Sequence, residues 1–504
     1  MLPIELEKWR IIIEKQASDY GLDFFKTIFE VLDWKQMNEV ASYGGFPNRY
    51  PHWRFGMEYE RLSKSYAYGL SKIYEMVINN DPCYAYLLHS NHLVDQKLVM
   101  AHVFGHCDFF KNNIFFSKTN RHMIDVMANH KTHIQRYINK YGYEPVETFI
   151  DVCMSIDNLI DYYSPFIKRS RDLEEKPASE DEEEYPEIEL QKNVRKLKVS
   201  REYLDHFINP KEFLDSQKKD LLKKSQERKK FPEEPARDVM EFLLEFAPLQ
   251  RWQRDVLSII RDESYYFAPQ MQTKIMNEGW ASYWHSKIMT QKILSDSEII
   301  DFADHHSGTV AVNGGRINPY KLGLELYRDI EDRWNRGKFG KEYDDCDDMV
   351  EKSRWNKNAG LGLKKIFEVR KIYNDVTFLD AFLTPEFCSR QKMFSFDYNR
   401  NTAYYEISSR EFKDIKNKLL FGLTNFGQPF IYVADANYGN RSELLLLHRH
   451  EGVDLRLDYA QEVLKNIFQI WKRPVVIETK VGDKLKLYAF DGKEHKEYDT
   501  KEGA

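Results

Sequence analysis

The 504-residue chain carries a formal charge of −6, with 42% hydrophobic and 14% aromatic residues, a globular composition that excludes an intrinsically disordered protein. Charges of both signs are interspersed, so no overall field argues for nucleic acid or an anionic membrane as partner. No window of about 18 apolar residues exists to span a bilayer.

The start of the chain carries Glu5 and Glu7 and lacks an apolar core behind a basic head, so no signal peptide is expected. Cys83, Cys107, Cys153, Cys346 and Cys388 are scattered and form no CxxC pair, which fits reduced thiols and a cytoplasmic location. The spacing of Ile4, Trp9, Ile12 and Ile13, and then of Phe24, Phe25, Ile28, Phe29 and Leu32, predicts two helices broken at Gly21. Residues Tyr43 to Gly56 are rich in Gly, Pro and aromatics without periodicity. They read as an ordered loop that either lines a site or packs over the core. Asp81-Pro82 is read as a helix start, and Ser90 or Asn91 as the start of the helix that follows.

That next helix contains His102 and His106 in an apolar run. A spacing of four residues stacks both imidazoles on one helix face, which is half of a first-row metal site. The stretch Asn277-Glu278-Gly279-Trp280-Ala281-Ser282-Tyr283-Trp284-His285 offers the carboxylate that would complete it. Glu278 and His285 share a helix face about 10.5 Å apart along the axis, too far for one metal, so His285 is expected beside a ligand or on the substrate side. Gly279 next to the glutamate lets another helix approach closely. Two histidines and a glutamate suit zinc with an open position for water, or iron as a two-histidine, one-carboxylate triad. A buried hydrogen-bonded network of the same residues is the alternative.

His306 is a candidate further ligand or general base, with His305 beside it pointing elsewhere on a helix; Asp108 and Glu60 are candidate bases. His130 and His133 lie among Lys131, Arg136 and Lys140 and read as a solvated face. Residues 171–190 are acidic and punctuated by proline, the composition of a mobile insert. Ser295 and Glu298 form a capping box that starts the helix carrying His306. Beyond Gln391 the pattern turns mixed, with strands expected at 403–408, 429–433, 444–448, 475–479 and 485–490 and helices near 410–420 and 458–472. The resulting architecture is a mainly α N-terminal domain over 1–390 and a smaller α+β, ferredoxin-like C-terminal domain over 393–496, with a tail at 497–504.

The motifs AHVFGHCDFFKNN, INNDPCYAYL, VETFIDVCMSIDNLID, KIMNEGWASYWH and INPYKLGLELYRDIEDRW, in this order and over essentially the whole chain, resemble the stage V sporulation protein R family. The resemblance implies a cytoplasmic bacterial protein, linked in spore formers to formation of the spore peptidoglycan cortex; it delivers no reaction. The stretch Asn277-Glu278-Gly279-Trp280-Ala281 is also similar to the segment of gluzincin aminopeptidases whose glutamate is the third zinc ligand beside the two histidines of HExxH. It implies His102, His106 and Glu278 as ligands, although Val103 stands where those peptidases hold their general-base glutamate. The function expected from these readings is a metal-dependent hydrolase acting on a peptide, amide or peptidoglycan-precursor bond, with zinc ahead of iron. The rivals are a non-enzymatic scaffold of cortex assembly with a structural metal or none, and a non-haem iron enzyme.

Overall fold

The computed structural model of the protein describes residues 2–69, 72–167, 210, 230–309, 318–399 and 402–499. The acidic insert expected at 171–190 lies outside them. The chain divides into two units, one formed by Met1–Asn158 with Gln250–Pro429 and the other by Leu159–Leu249 with Phe430–Ala504. They do not follow the expected break near residue 390.

The first unit is mainly helical and is organised around the helix Leu93–Asn112, termed the histidine helix. Every residue from Val99 to Phe110 is buried, so this helix is not amphipathic as a surface helix would be. Its sequence is apolar nearly all round, the pattern of a helix enclosed by others. Against it packs Lys274–Ile288, the glutamate helix, and against that packs Pro319–Arg336, the tyrosine helix. Both crossings depend on missing side chains. A Cβ on Gly105 would lie 2.7 Å from the Ala281 Cα, and one on Gly279 would lie 2.4 Å from the Gly323 Cα. The close approach anticipated for Gly279 is thus made by the tyrosine helix.

Two segments read as helical are strands instead. Thr27–Leu32 is β1, Glu75–Ile78 is β2 and Cys83–Leu88 is β3, in a sheet of order β1-β3-β2 with β1 parallel and β2 antiparallel to β3. The apolar run before Leu32 is short and rich in β-branched and aromatic residues, and periodicity alone does not separate such a run from a buried helix. Asp81-Pro82 leads into the central strand β3 rather than a helix, and the histidine helix begins after His92, whose side chain makes no cap bond. The aromatic loop packs over the core: Phe46 and Tyr50 are buried, and Arg49 forms a buried ion pair with Glu263. Ser395–Asn399 (β4) and Tyr404–Ser409 (β5) form a hairpin followed by the helix Phe412–Leu423, all within this unit.

The second unit is α+β. Phe430–Tyr438 (β6), Glu443–Arg449 (β7), Val475–Val481 (β8), Lys484–Phe490 (β9) and His495–Asp499 (β10) form a sheet of order β10-β9-β8-β7-β6. Only β7 and β8 are parallel, joined by the helix Leu457–Trp471, whose Leu464, Ile467, Ile470 and Trp471 are buried. The α+β class holds, but the ferredoxin-like order does not. The strand and helix expected to open that motif, residues 403–420, belong to the first unit, and β10 occupies part of the expected tail.

Candidate metal centre

The crossing of the histidine and glutamate helices brings His102, His106 and Glu278 together. The Nε2 atoms of both histidines lie 3.5 Å from the Oε2 of Glu278, and the donor atoms of all three residues lie within 4.8 Å of one another. At 3.5 Å these pairs are too long for good hydrogen bonds. His102 Nε2 and Glu278 Oε2 are buried and have no hydrogen-bond partner, which is costly for polar atoms unless something else occupies the space between them. Metal–ligand bonds of about 2.0–2.2 Å meeting at tetrahedral angles separate neighbouring donors by about 3.3–3.6 Å, so the spacing fits a first-row ion.

The far nitrogens of both rings are anchored. His106 Nδ1 is 2.9 Å from the Asn277 Oδ1; that oxygen accepts, so the proton sits on Nδ1 and Nε2 keeps its lone pair for a ligand. His102 Nδ1 is 2.9 Å from His285 Nδ1, and His285 Nε2 is 3.0 Å from His306 Nδ1. His285 therefore stands directly behind a ligand candidate, and His306 one ring further out. His305 points away and pairs with Asp95.

Two groups that sequence reasoning did not single out complete the surroundings. Glu75, at the start of the edge strand β2, brings its Oε1 to 4.0 Å from His102 Nε2. Tyr320, at the start of the tyrosine helix, stacks on the His102 ring with centroids 6.1 Å apart. Neither has a spacing signal: Glu75 is a lone carboxylate in a short strand, and Tyr320 is one of many aromatics.

The electrostatics differ across the cluster. Burial works to raise Glu278, but His102 and His106 outweigh it and hold the carboxyl below its ordinary range. Glu75 is pushed up, by burial and by the neighbouring Glu278. Burial and His102 push His106 down to about 4. Burial and the adjacent His102 and His306 hold His285 well below its ordinary value. Burial and then the Glu278 and Glu75 carboxylates drive the Tyr320 phenol well up, so it stays protonated. Near neutral pH the cluster thus holds uncharged His106 and His285 rings and an ionised Glu278. Glu278 and Glu75 keep 18% and 21% of their side-chain surface exposed, against 4% for His102.

The two proposed bases lie elsewhere. Asp108 is fully buried, 2.6 Å from Arg370, and accepts from the Trp280 indole at 2.8 Å and the Asp23 backbone at 2.7 Å. Burial pushes its carboxyl up to about 6 against the pull of Arg370. It joins the histidine helix to its neighbours on another face. Glu60 is exposed and pairs with Lys64 one turn on. His130 is not on a solvated face: it is buried, with Nδ1 3.2 Å from Glu263. His133 is exposed and faces Asp255 at 3.0 Å.

Comparison with known proteins accords with these motifs. Residues 2–428 match the family described as SpoVR like protein, and residues 429–482 match the SpoVR-like C-terminal domain. The chain is 30% identical over 499 residues to the uncharacterized protein YcgB of Escherichia coli (strain K12), covering 94% of this chain and 91% of that one. No solved structure matches. The chain belongs to the SpoVR-like family. Among the described residues, no helix is long and apolar enough to cross a membrane.

Proposed function

For this member of the SpoVR-like family we propose a metal-dependent hydrolase in which His102, His106 and Glu278 hold zinc and the substrate is a peptide, amide or peptidoglycan-precursor bond. The observation that carries this reading is the pair of buried, partnerless donor atoms, His102 Nε2 and Glu278 Oε2, 3.5 Å apart, with His106 Nε2 at the same distance from the glutamate. A sporulation-related role, as the family name implies, together with the link to the spore cortex that the resemblance carries, makes peptidoglycan precursors the substrate class of first interest. Bound in such a seat, zinc would bring the pKa of its water towards about 7 and polarise a carbonyl oxygen.

The residues around the seat supply the rest. Glu75 takes the role of general base that Val103 cannot fill. Its carboxyl faces the convergent donors from a separate strand, receives the proton of the attacking water and returns it to the leaving nitrogen as the carbon–nitrogen bond breaks. The Tyr320 hydroxyl stays protonated and donates to the oxyanion that develops on the carbonyl oxygen. Asn277 and His285 keep the ligand rings oriented.

A second reading has one observation in its favour. Glu75, at 4.0 Å from His102 Nε2, is near enough to move in as a fourth ligand, and four protein ligands would close the site as in a structural centre of a scaffold protein. The two readings part at Glu75→Gln. With Glu75 as base, the variant binds zinc like the wild type and loses about 100-fold or more in amide or peptide hydrolysis; with Glu75 as ligand, it loses zinc affinity. Elemental analysis of untagged protein identifies the resident metal, and iron in place of zinc would favour an iron enzyme with the same triad. Protein that contains no metal and takes up neither ion overturns the proposal.

A further inference from the structure

We infer that His285 and His306 form an imidazole chain that fixes the tautomer of His102, which makes His306 a positioning residue for the metal seat; the inference rests on the seat proposed above. The chain runs from His102 Nδ1 to His285 Nδ1 at 2.9 Å and from His285 Nε2 to His306 Nδ1 at 3.0 Å. A neutral imidazole has one N–H and one lone pair, so each link needs a donor on one side and an acceptor on the other.

Only two arrangements of neutral rings satisfy both links. In one, His102 carries its proton on Nδ1 and donates to His285, which donates from Nε2 to His306, whose own proton is then on Nε2. In the other, every proton is reversed, and the His102 Nε2–H points at Glu278. The first leaves the His102 Nε2 lone pair free for a metal; the second blocks it. The three rings therefore change together: a proton on His306 Nε2 leaves its Nδ1 to accept and sets His102 in the ligating form, whereas a proton on His306 Nδ1 sets it in the blocked one.

The rings are placed for this task. His285 is 1% exposed, and each of its ring nitrogens faces another imidazole. His306 is held down by burial and then by Arg328, and its ring lies on Phe302 with centroids 5.5 Å apart and planes 6° off parallel. His106 differs: its partner, the Asn277 Oδ1, can only accept, so its tautomer is already fixed. Of the two ligand rings, His102 alone depends on a chain that can reverse.

The test is zinc affinity by competition with a chelating dye in wild type, His306→Phe and His306→Asn, with the melting curve of each metal-free protein. Phenylalanine keeps the stack on Phe302 and removes the acceptor; the asparagine carbonyl restores an acceptor where Nδ1 stood. We expect His306→Phe to bind zinc about 10–100-fold more weakly and His306→Asn to recover most of that loss, with metal-free melting temperatures close to wild type. Wild-type affinity in a folded His306→Phe overturns the chain and leaves the seat intact, whereas a wild type that binds no zinc overturns the seat and the chain with it. Nitrogen-15 spectra of the zinc-bound wild type give a reading independent of any variant. Protons on His102 Nδ1, His285 Nε2 and His306 Nε2 support the chain, and a proton on His285 Nδ1 overturns it.

Discussion

Two buried clusters in the first unit each set a histidine against a glutamate, and they solve the problem of burial in opposite ways. At Glu263 the carboxylate is paired with Arg49, lies 3.2 Å from the Tyr50 hydroxyl and faces His130 Nδ1 at 3.2 Å. The guanidinium supplies the positive charge, so this carboxylate needs no further cation, although Arg49 Nε is itself buried without a hydrogen-bond partner. At Glu278, among the described residues, no arginine or lysine is bonded to the carboxylate, although the charge of Lys274 one turn earlier acts on it; two imidazole nitrogens face it at 3.5 Å, and two of the donor atoms have no hydrogen-bond partner. The difference teaches what marks a ligand seat in a buried network: not the presence of histidine and glutamate, but a carboxylate with convergent lone pairs around it and no cation bonded to it.

The largest effect is expected where the cation-paired cluster is broken. Glu263→Ala strands the buried Arg49 charge and should cost about 3–5 kcal/mol of stability, read as a large drop in midpoint in a urea titration, with zinc affinity per folded molecule unchanged. If Glu263→Ala instead weakened zinc binding and left stability alone, the contrast between the clusters would be wrong.

Next comes the helix crossing that assembles the seat. Gly279→Ala puts a Cβ 2.4 Å from the Gly323 Cα, backbone that cannot swing aside, so the glutamate and tyrosine helices must part. A cost of about 1–3 kcal/mol is expected, together with weaker zinc binding, since Glu278 is the adjacent residue. Unchanged melting and zinc affinity would show that the crossing is looser than described.

How much of this was legible beforehand follows physical lines. The four-residue spacing points to His102 and His106 because a helix converts sequence spacing into a shared face, and Glu278 is legible through the resemblance of the NEGW segment to the gluzincin ligand segment. The close approach at Gly279 is legible because glycine carries no side chain. Glu75 was not, because it reaches the cluster from β2, in a sheet whose other strands, β3 and β1, were read as helix start and helix; short apolar runs do not declare their secondary structure. His130 was misjudged because neighbouring lysines and arginines reveal nothing of a partner as distant in sequence as Glu263. The sheet order in the second unit depends on pairings between segments, which local patterns do not specify.

The smallest effect is on pH dependence. His106 is held at about 4 against an ordinary 6.5, so on acidification the unfolded chain takes up the proton first, and this residue costs folded stability progressively from about 6.5 down to about 4. Asp108, raised to about 6 from 3.8, acts in the opposite sense, because its folded form binds the proton first. Metal-free wild type should therefore lose more stability between pH 6.5 and 4.5 than His106→Gln, in which Asp108 is retained. Parallel pH profiles of the two proteins would show that His106 titrates normally.

The most direct test of the central claim is zinc-edge X-ray absorption on protein loaded with one equivalent of zinc. The account predicts imidazole nitrogens and oxygen donors at about 2.0–2.2 Å, with an imidazole signal that weakens in His106→Ala and an oxygen shell that changes in Glu278→Gln. Sulfur at about 2.3 Å, which would place the ion on cysteine, or a spectrum indifferent to both substitutions, would contradict it.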